Sequence, residues 1–251
     1  MASSVLQHLL DIRHRRGAGY LPLLDPDRLA PDELEARAQL CVAAGADAIL
    51  IGTSLMFSSR NAVCFERVRA KVDVPVISFP GSSGQVVPTA DAILFLSLVS
   101  GRNPELLIGE HVKAAPLIHE YGIETIPTGY MLVESGTLTS VEFMSDTRPI
   151  PRDKIDIAMA HALAAEYLGM RLIYLETGSG ACASVPDEMV SAVADCVSVP
   201  VVVGGGIREP GVARAKVEAG AGFVVTGSVV EDNQQRLCAL SRAVHVKERQ
   251  E

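Results

Sequence analysis

Short runs of β-branched and aliphatic residues alternate along the whole chain with longer stretches whose apolar positions recur every three to four residues. That alternation marks repeated βα units. The apolar runs predict eight strands, near Tyr20–Leu24, Asp47–Ile51, Pro75–Phe79, Ala92–Leu96, Glu124–Val133, Leu172–Glu176, Val199–Val203 and Gly222–Thr226. The amphipathic stretches predict helices over 32–44, 59–71, 104–120, 153–168, 186–197, 210–219 and 231–247. Pro210 and the run Pro31-Asp32-Glu33 suit first helical turns, and Gly45, Gly169 and Gly220 stand where helices should end.

One unit is too short for its helix. Between strands three and four the run Gly81-Ser82-Ser83-Gly84-Gln85-Val86-Val87-Pro88-Thr89 carries two glycines and a proline, which predicts a loop or a single irregular turn. An internal echo supports the repeat reading. The stretch from Val42 to Thr53 resembles that from Val217 to Ser228, each a helix end, a glycine, a buried strand and a Gly-hydroxyl turn. Eight strands without a linker favour a single α/β domain over residues 1–251, a TIM-type (β/α)8 barrel with its third helix replaced by a loop. A doubly wound sheet would want a glycine-rich turn after its first strand, where Asp25-Pro26-Asp27 stands instead.

Composition narrows the function. The chain has 251 residues, 48% of them hydrophobic, and a net charge of -8. A chain of that length buries roughly three quarters of its unfolded surface and needs no metal or disulfide staple. Its five cysteines (Cys41, Cys64, Cys182, Cys196 and Cys238) are scattered without a CxxC pair, which fits a reducing cytoplasm. The acidic balance makes nucleic acid an unsuitable partner. No apolar run reaches the ~20 residues of a membrane span. The basic cluster Arg13-His14-Arg15-Arg16 follows the first apolar stretch, the reverse of a secretory signal.

In such a barrel, chemistry gathers at the turns after the strands. Gly204-Gly205-Gly206-Ile207-Arg208 after strand seven and Thr226-Gly227-Ser228 after strand eight are placed to hold a phosphate through backbone N–H groups, although glycines also simply make tight turns. Strand six ends Tyr174-Leu175-Glu176, and alternation puts Tyr174 and Glu176 on one side and Leu175 on the other. Glu176 could accept a hydroxyl proton or anchor the Gly178-Ser179-Gly180 turn. Asp25, with Thr53 or Ser54, could form a sparse magnesium set or cap a turn before Pro26. The six histidines form no HxxxH or HxH pair, and Cys182 has no neighbouring base. The run Ile93–Val99 reads as a buried strand whose end could touch an apolar ligand; Arg102, just beyond, could meet an anion or be a solvated turn residue.

Together these turns resemble the geranylgeranylglyceryl phosphate synthase family, with its bacterial heptaprenylglyceryl phosphate synthase relatives. The markers span nearly the whole chain: Leu24-Asp25-Pro26-Asp27, Gly52-Thr53-Ser54, Phe79-Pro80-Gly81-Ser82-Ser83, Ser97–Pro104, Ile126–Tyr130, Ala164–Ala181, Val203–Arg208 and Val225–Glu231. The resemblance implies a Mg²⁺-dependent prenyltransferase that joins the C3 hydroxyl of sn-glycerol 1-phosphate to C1 of a prenyl diphosphate, geranylgeranyl first and heptaprenyl as the alternative. It makes Asp25 and Ser54 the metal residues, and Glu176, Tyr174 and Asp25 the catalytic ones. It gives the glycerol phosphate Tyr174, Leu175, Glu176, Thr177, Gly178, Ser179, Gly180, Gly205, Gly206, Gly227 and Ser228. It puts Tyr130, Leu98, Val99 and Arg102 beside the prenyl diphosphate. Departures are Arg28 for a frequent lysine, Leu23 where some members have lysine, Thr53 in the strand-two turn, and Thr177 for the usual alanine. A cytoplasmic homo-oligomer that passes its product toward the membrane is the expected setting. The rival readings are another phosphate-binding barrel enzyme and a silent assembly protein. A Schiff-base aldolase would need a strand-end lysine, and Lys71, Lys113, Lys154 and Lys216 fall elsewhere.

Overall fold

The computed structural model describes residues 4–227 and 234–247. Eight parallel strands close into a barrel in sequence order: β1 (Gly19–Leu24), β2 (Ile49–Ile51), β3 (Val76–Ser78), β4 (Ala92–Leu98), β5 (Glu124–Leu132), β6 (Leu172–Glu176), β7 (Val201–Gly204) and β8 (Phe223–Thr226), with β8 pairing back onto β1. Every expected strand is present, with ends shifted by two residues at most. Side chains of alternate residues divide between two compartments. Leu21, Leu50, Ile77, Leu94, Ile126, Leu172, Tyr174, Val202 and Phe223 fill the interior. Tyr20, Ile49, Ile51, Ile93, Met131, Ile173, Leu175 and Val224 face the surrounding helices.

Helices α2 (Pro31–Ala43), α3 (Asn61–Arg69), α4 (Glu110–Tyr121), α6 (Ile155–Tyr167), α7 (Asp187–Cys196), α8 (Pro210–Glu218) and α9 (Gln234–Val244) form that outer layer. The stretch expected as one helix over 104–120 opens instead with a π-helical turn at Glu105–Gly109 before α4. Between β3 and β4 there is only a 3₁₀ turn, Ser83–Gln85, so the outer ring has a gap at the third unit. The internal echo is real in three dimensions: Gly45 and Gly220 end their helices with φ of 101° and 103°.

Two helices carried no usable sequence signal. α1 (Val5–Arg16) lies under the barrel, where Leu9 packs with the interior residues around Phe223. The Glu124 carboxylate at the base of β5 accepts from the Val5 and Leu6 N–H groups at 2.6 and 3.0 Å, completing the helix N-terminus. Its apolar stretch is too short to read as amphipathic. The second, α5 (Ser140–Ser145), has six residues inside the β5–α6 connection.

The bottom of the barrel is also fastened by a buried carboxylate. Asp47 accepts from Arg16 Nη1 at 2.7 Å, Tyr20 N–H at 2.8 Å and His245 Nε2 at 2.8 Å. One side chain thereby ties α1, β1 and the segment after α9.

Candidate active site

A cavity of about 1040 Å³ opens at the C-terminal ends of the strands. It exceeds the ~300–1,000 Å³ usual for a small-molecule site, leaving room for more than one substrate. Of the residues expected in the site, Asp25, Ser54, Leu98, Tyr130, Glu176, Gly178, Ser179, Gly180, Gly205, Gly206 and Gly227 all line it. The loops after β1, β2, β3, β5, β6, β7 and β8 converge there, because a barrel places every strand end on one rim.

Glu176 is the electrostatic centre. It ends β6 facing inward, 6% exposed, as the alternation requires. Its Oε1 accepts the Gly178 N–H at 2.7 Å, so the carboxylate also anchors the turn after it. Burial removes water from the charged form and pushes the acid up to about 7, although the Gly178 N–H pulls the other way. Tyr174, two residues earlier, is fully buried beneath it. A Cβ placed on Gly204 would stand 2.5 Å from both Glu176 Oε2 and Tyr174 Oη, so these oxygens converge on the face that the glycine leaves bare. Burial and the neighbouring carboxylate hold the Tyr174 phenol well above its ordinary value, keeping it a neutral donor.

Three buried hydroxyls stand around this carboxylate: Thr177 Oγ1 and Thr139 Oγ1 have no hydrogen-bond partner, and Tyr174 Oη makes no bond of good geometry, although it lies close enough to Glu176 to lower that carboxyl's pKa. Buried polar atoms are nearly always paired, and of these three Thr139 lines the cavity, where a polar guest could satisfy it. Thr139, which no local pattern singles out, comes from the loop before α5. Its Oγ1 lies 2.5 Å from where a Cβ on Gly178 would stand.

Below and beside the carboxylate the wall is aromatic. Phe79 stacks on Tyr174 at 5.3 Å between ring centroids, and Tyr130 lies 5.4 Å from Tyr174 and 6.1 Å from Phe79. From there the cavity continues along Leu94, Leu96 and Leu98 and reaches the outer-layer residues Ile93, Phe95, Val86 and Ala114. It therefore passes from the barrel mouth into the space left by the missing third helix.

On the opposite wall, Asp25 Oδ1 accepts the Asp27 N–H at 2.9 Å, and its Oδ2 is 3.5 Å from Arg28 Nε. The turn-capping role is thus fulfilled, with one oxygen left toward a cation. Thr53 Oγ1 donates to the Leu55 carbonyl at 3.4 Å. Among the described residues no group of three or more His, Cys, Asp or Glu could hold a metal. One carboxylate with a hydroxyl fits Mg²⁺ only where phosphate oxygens and water complete the shell, which is the ion's usual habit.

Several expectations need correction. Leu175 faces the helices and contributes no side chain to the cavity, because it occupies the alternate position of β6. Val99 also packs into the outer layer. Arg102 turns away, donating to the Gly101 carbonyl at 2.7 Å and contacting His161 Nε2 at 3.3 Å. Tyr174 and Thr177 sit behind the lining rather than on it. Ser228 lies outside the described residues. Phe79 and Thr139 were missed; Phe79 was visible as a strand-end aromatic before Pro80-Gly81, whereas Thr139 had no local signal.

Comparison with known proteins agrees with this geometry. The PcrB family model matches residues 10–244. A geranylgeranylglyceryl phosphate synthase from Chitinophaga pinensis is 41% identical over 245 residues, covering 98% of this chain and 97% of that protein. One from Thermococcus gammatolerans is 46% identical, covering 83% and 82%. The crystal structure of (S)-3-O-geranylgeranylglyceryl phosphate synthase from Thermoplasma acidophilum, in complex with sn-glycerol-1-phosphate, superposes with a TM-score of 0.92 at 36% identity, covering 97% of this chain and 99% of that one.

Proposed function

The chain belongs to the PcrB family, and from that premise we propose that it transfers the geranylgeranyl group of geranylgeranyl diphosphate to the C3 hydroxyl of sn-glycerol 1-phosphate. The observation that carries this reading is the buried Glu176, set among the hydroxyls of Tyr174, Thr177 and Thr139 where a glycine-lined polar wall meets an apolar channel. The polar wall suits a small phosphorylated polyol, and the channel suits a chain whose burial contributes ~0.8 kcal/mol per CH₂.

In the reaction the bond from C1 to the diphosphate oxygen breaks as the bond from C1 to O3 of the glycerol forms. The hydroxyl proton passes to Glu176, and diphosphate leaves. A carboxylate whose pKa is near 7 is matched to that task at neutral pH. Tyr174 donates to the Glu176 carboxylate from behind the lining and orients it. Thr139, which lines the cavity, holds the polyol end. Fixing the two reactants in one cavity can supply ~7–11 kcal/mol of an otherwise bimolecular barrier. Asp25 and Ser54 would hold Mg²⁺, which supplies charge neutralisation for the departing diphosphate when bound. With Thr53 already engaged by Leu55, Ser54 is the better hydroxyl. Leu98, Tyr130 and Phe79 line the start of the prenyl channel.

A cytoplasmic setting and a homo-oligomeric state belong to the same proposal; the five cysteines are all free. Among the described residues no helix is long and apolar enough to cross a membrane.

The test is incubation with labelled sn-glycerol 1-phosphate, Mg²⁺ and, separately, geranyl, farnesyl, geranylgeranyl and heptaprenyl diphosphates. The expected result is an ether-linked product, formed fastest with geranylgeranyl diphosphate. A faster reaction with heptaprenyl diphosphate would reassign the chain length. No product with any donor would end the reading.

A further inference from the structure

Behind the polar wall of the cavity, outside the residues that line it, runs a strap of arginines. Arg208 closes the turn after β7, and its Nη2 reaches across to the Ala181 carbonyl at 2.9 Å and the Gly180 carbonyl at 3.5 Å, on the turn after β6. Arg208's own carbonyl is in turn held by Arg236 of α9, through Nη2 at 3.1 Å and Nε at 3.3 Å. Arg236 Nη2 also donates to Glu209 Oε1 at 2.7 Å. From the other side, Arg152 Nη2 donates to the Ser184 carbonyl at 2.9 Å while its Nη1 holds the Glu134 carbonyl at 3.1 Å.

We propose that Arg208 is a positioning residue for the phosphate end of the substrate: by bonding the carbonyls of Gly180 and Ala181, it fixes the β6 turn against the β7 turn. The proposal rests on the reading of this cavity as a glycerol phosphate site. Gly178, Gly180, Gly205 and Gly206 line the cavity with φ between 67° and 94°. Backbone in that region lacks Cβ atoms to lock it by packing, so its conformation must be imposed from outside. An arginine does this with a rigid planar donor array. It also leaves its positive charge behind the loop, because its hydrogen bonds there go to main-chain carbonyls. Charge on that side favours a dianion in the cavity, and polarised peptide groups are stronger donors. Arg236 extends the strap to α9, so the β6 turn, the β7 turn and that helix are joined in series.

The role predicts a selective defect. In Arg208→Met the Kd for sn-glycerol 1-phosphate, measured by calorimetry without prenyl donor, should rise at least tenfold, and the KM for that substrate should follow. The KM for geranylgeranyl diphosphate should stay within twofold. Arg208→Lys should recover part of the loss, since it keeps the charge and one donor. Arg236→Met should move in the same direction by a smaller factor. If the wild-type chain binds sn-glycerol 1-phosphate and Arg208→Met binds it within twofold as tightly, the strap is refuted and the functional reading stands. A uniform loss in which both substrates weaken equally along with thermal stability would also refute it, as would absence of binding by the wild-type chain, which would take the functional reading with it.

Discussion

Gly52, at the end of β2, lies so close to Phe79, just past β3, that a Cβ on it would stand 1.8 Å from the Phe79 carbonyl oxygen and 3.1 Å from its Cβ. Backbone meets backbone there, so no rotamer change can relieve the contact. Phe79 is the aromatic that stacks on Tyr174, and Gly52 precedes the Thr53-Ser54 pair. Gly52→Ala is therefore expected to destabilise the fold by about 3 kcal/mol and to displace Phe79. Urea unfolding measures the first effect; a Gly52→Ala protein of unchanged midpoint and activity would contradict the packing described.

Glu176→Gln preserves the size and the bond from Gly178 N–H but removes the proton acceptor. The expected result is a fall in kcat of ~10²–10⁴-fold, with sn-glycerol 1-phosphate binding changed little. Single-turnover kinetics and calorimetry separate the two. Equal kcat would remove Glu176 from the chemistry.

The raised pKa of Glu176 has opposite effects on rate and stability. The base works ionised, so kcat/KM for glycerol phosphate should rise with pH and level off above about 7. For stability, the folded state holds its proton up to about 7 while a free carboxyl releases it near 4.5. The folded chain thus binds the extra proton between those values. Its stabilising effect is complete below 4.5 and is lost as pH rises through 7, by about 3 kcal/mol. Denaturation of Glu176→Gln should lack this decline between pH 4.5 and 7. A parallel pH dependence in variant and parent would show that Glu176 is not buried as described.

Asp25→Asn isolates charge from geometry, because an asparagine oxygen can still accept the Asp27 N–H. The turn should persist while the Mg²⁺ concentration for half-maximal rate rises at least tenfold, and chelation should abolish the parent activity. An unchanged metal titration would exclude Asp25 from the metal site.

At the other end of the barrel, Asp47→Ala leaves Arg16 and the Tyr20 N–H without their buried acceptor. Loss of one partner from such a cluster costs about 3–5 kcal/mol. Substrate affinities should be unaffected at temperatures where the variant stays folded, since Asp47 is absent from the cavity lining. A large change in KM would tie the two ends together.

Much of this was legible in the sequence because barrel strands repeat a strong local pattern. Buried β-branched runs located all eight strands, and the alternation in Tyr174-Leu175-Glu176 placed the carboxylate inward. The glycines and proline of 81–89 announced the gap in the outer ring. What remained hidden depended on contacts distant in sequence. α1 is a helix because Glu124 and the barrel floor receive it, not because its own stretch is amphipathic. Arg102 lies beside the right strand end, but its turn and His161 draw it away. Thr139 reaches Gly178 only because the β5–α6 connection folds back over the rim. Parity along the strand turns Val99 and Leu175 outward, which the motifs that contain them do not reveal.

The gap at the third unit separates two demands that an intact ring would force onto one opening. In the proposed reaction the reacting ends would meet at the rim, where charge and position are closely constrained. In that reaction the lipid tail would instead leave sideways, along Phe95 and Ala114, where a change of one methyl would alter only how far it can extend. Such an enzyme can be retuned for cargo length by repacking its flank while the staves that perform the chemistry stay as they are.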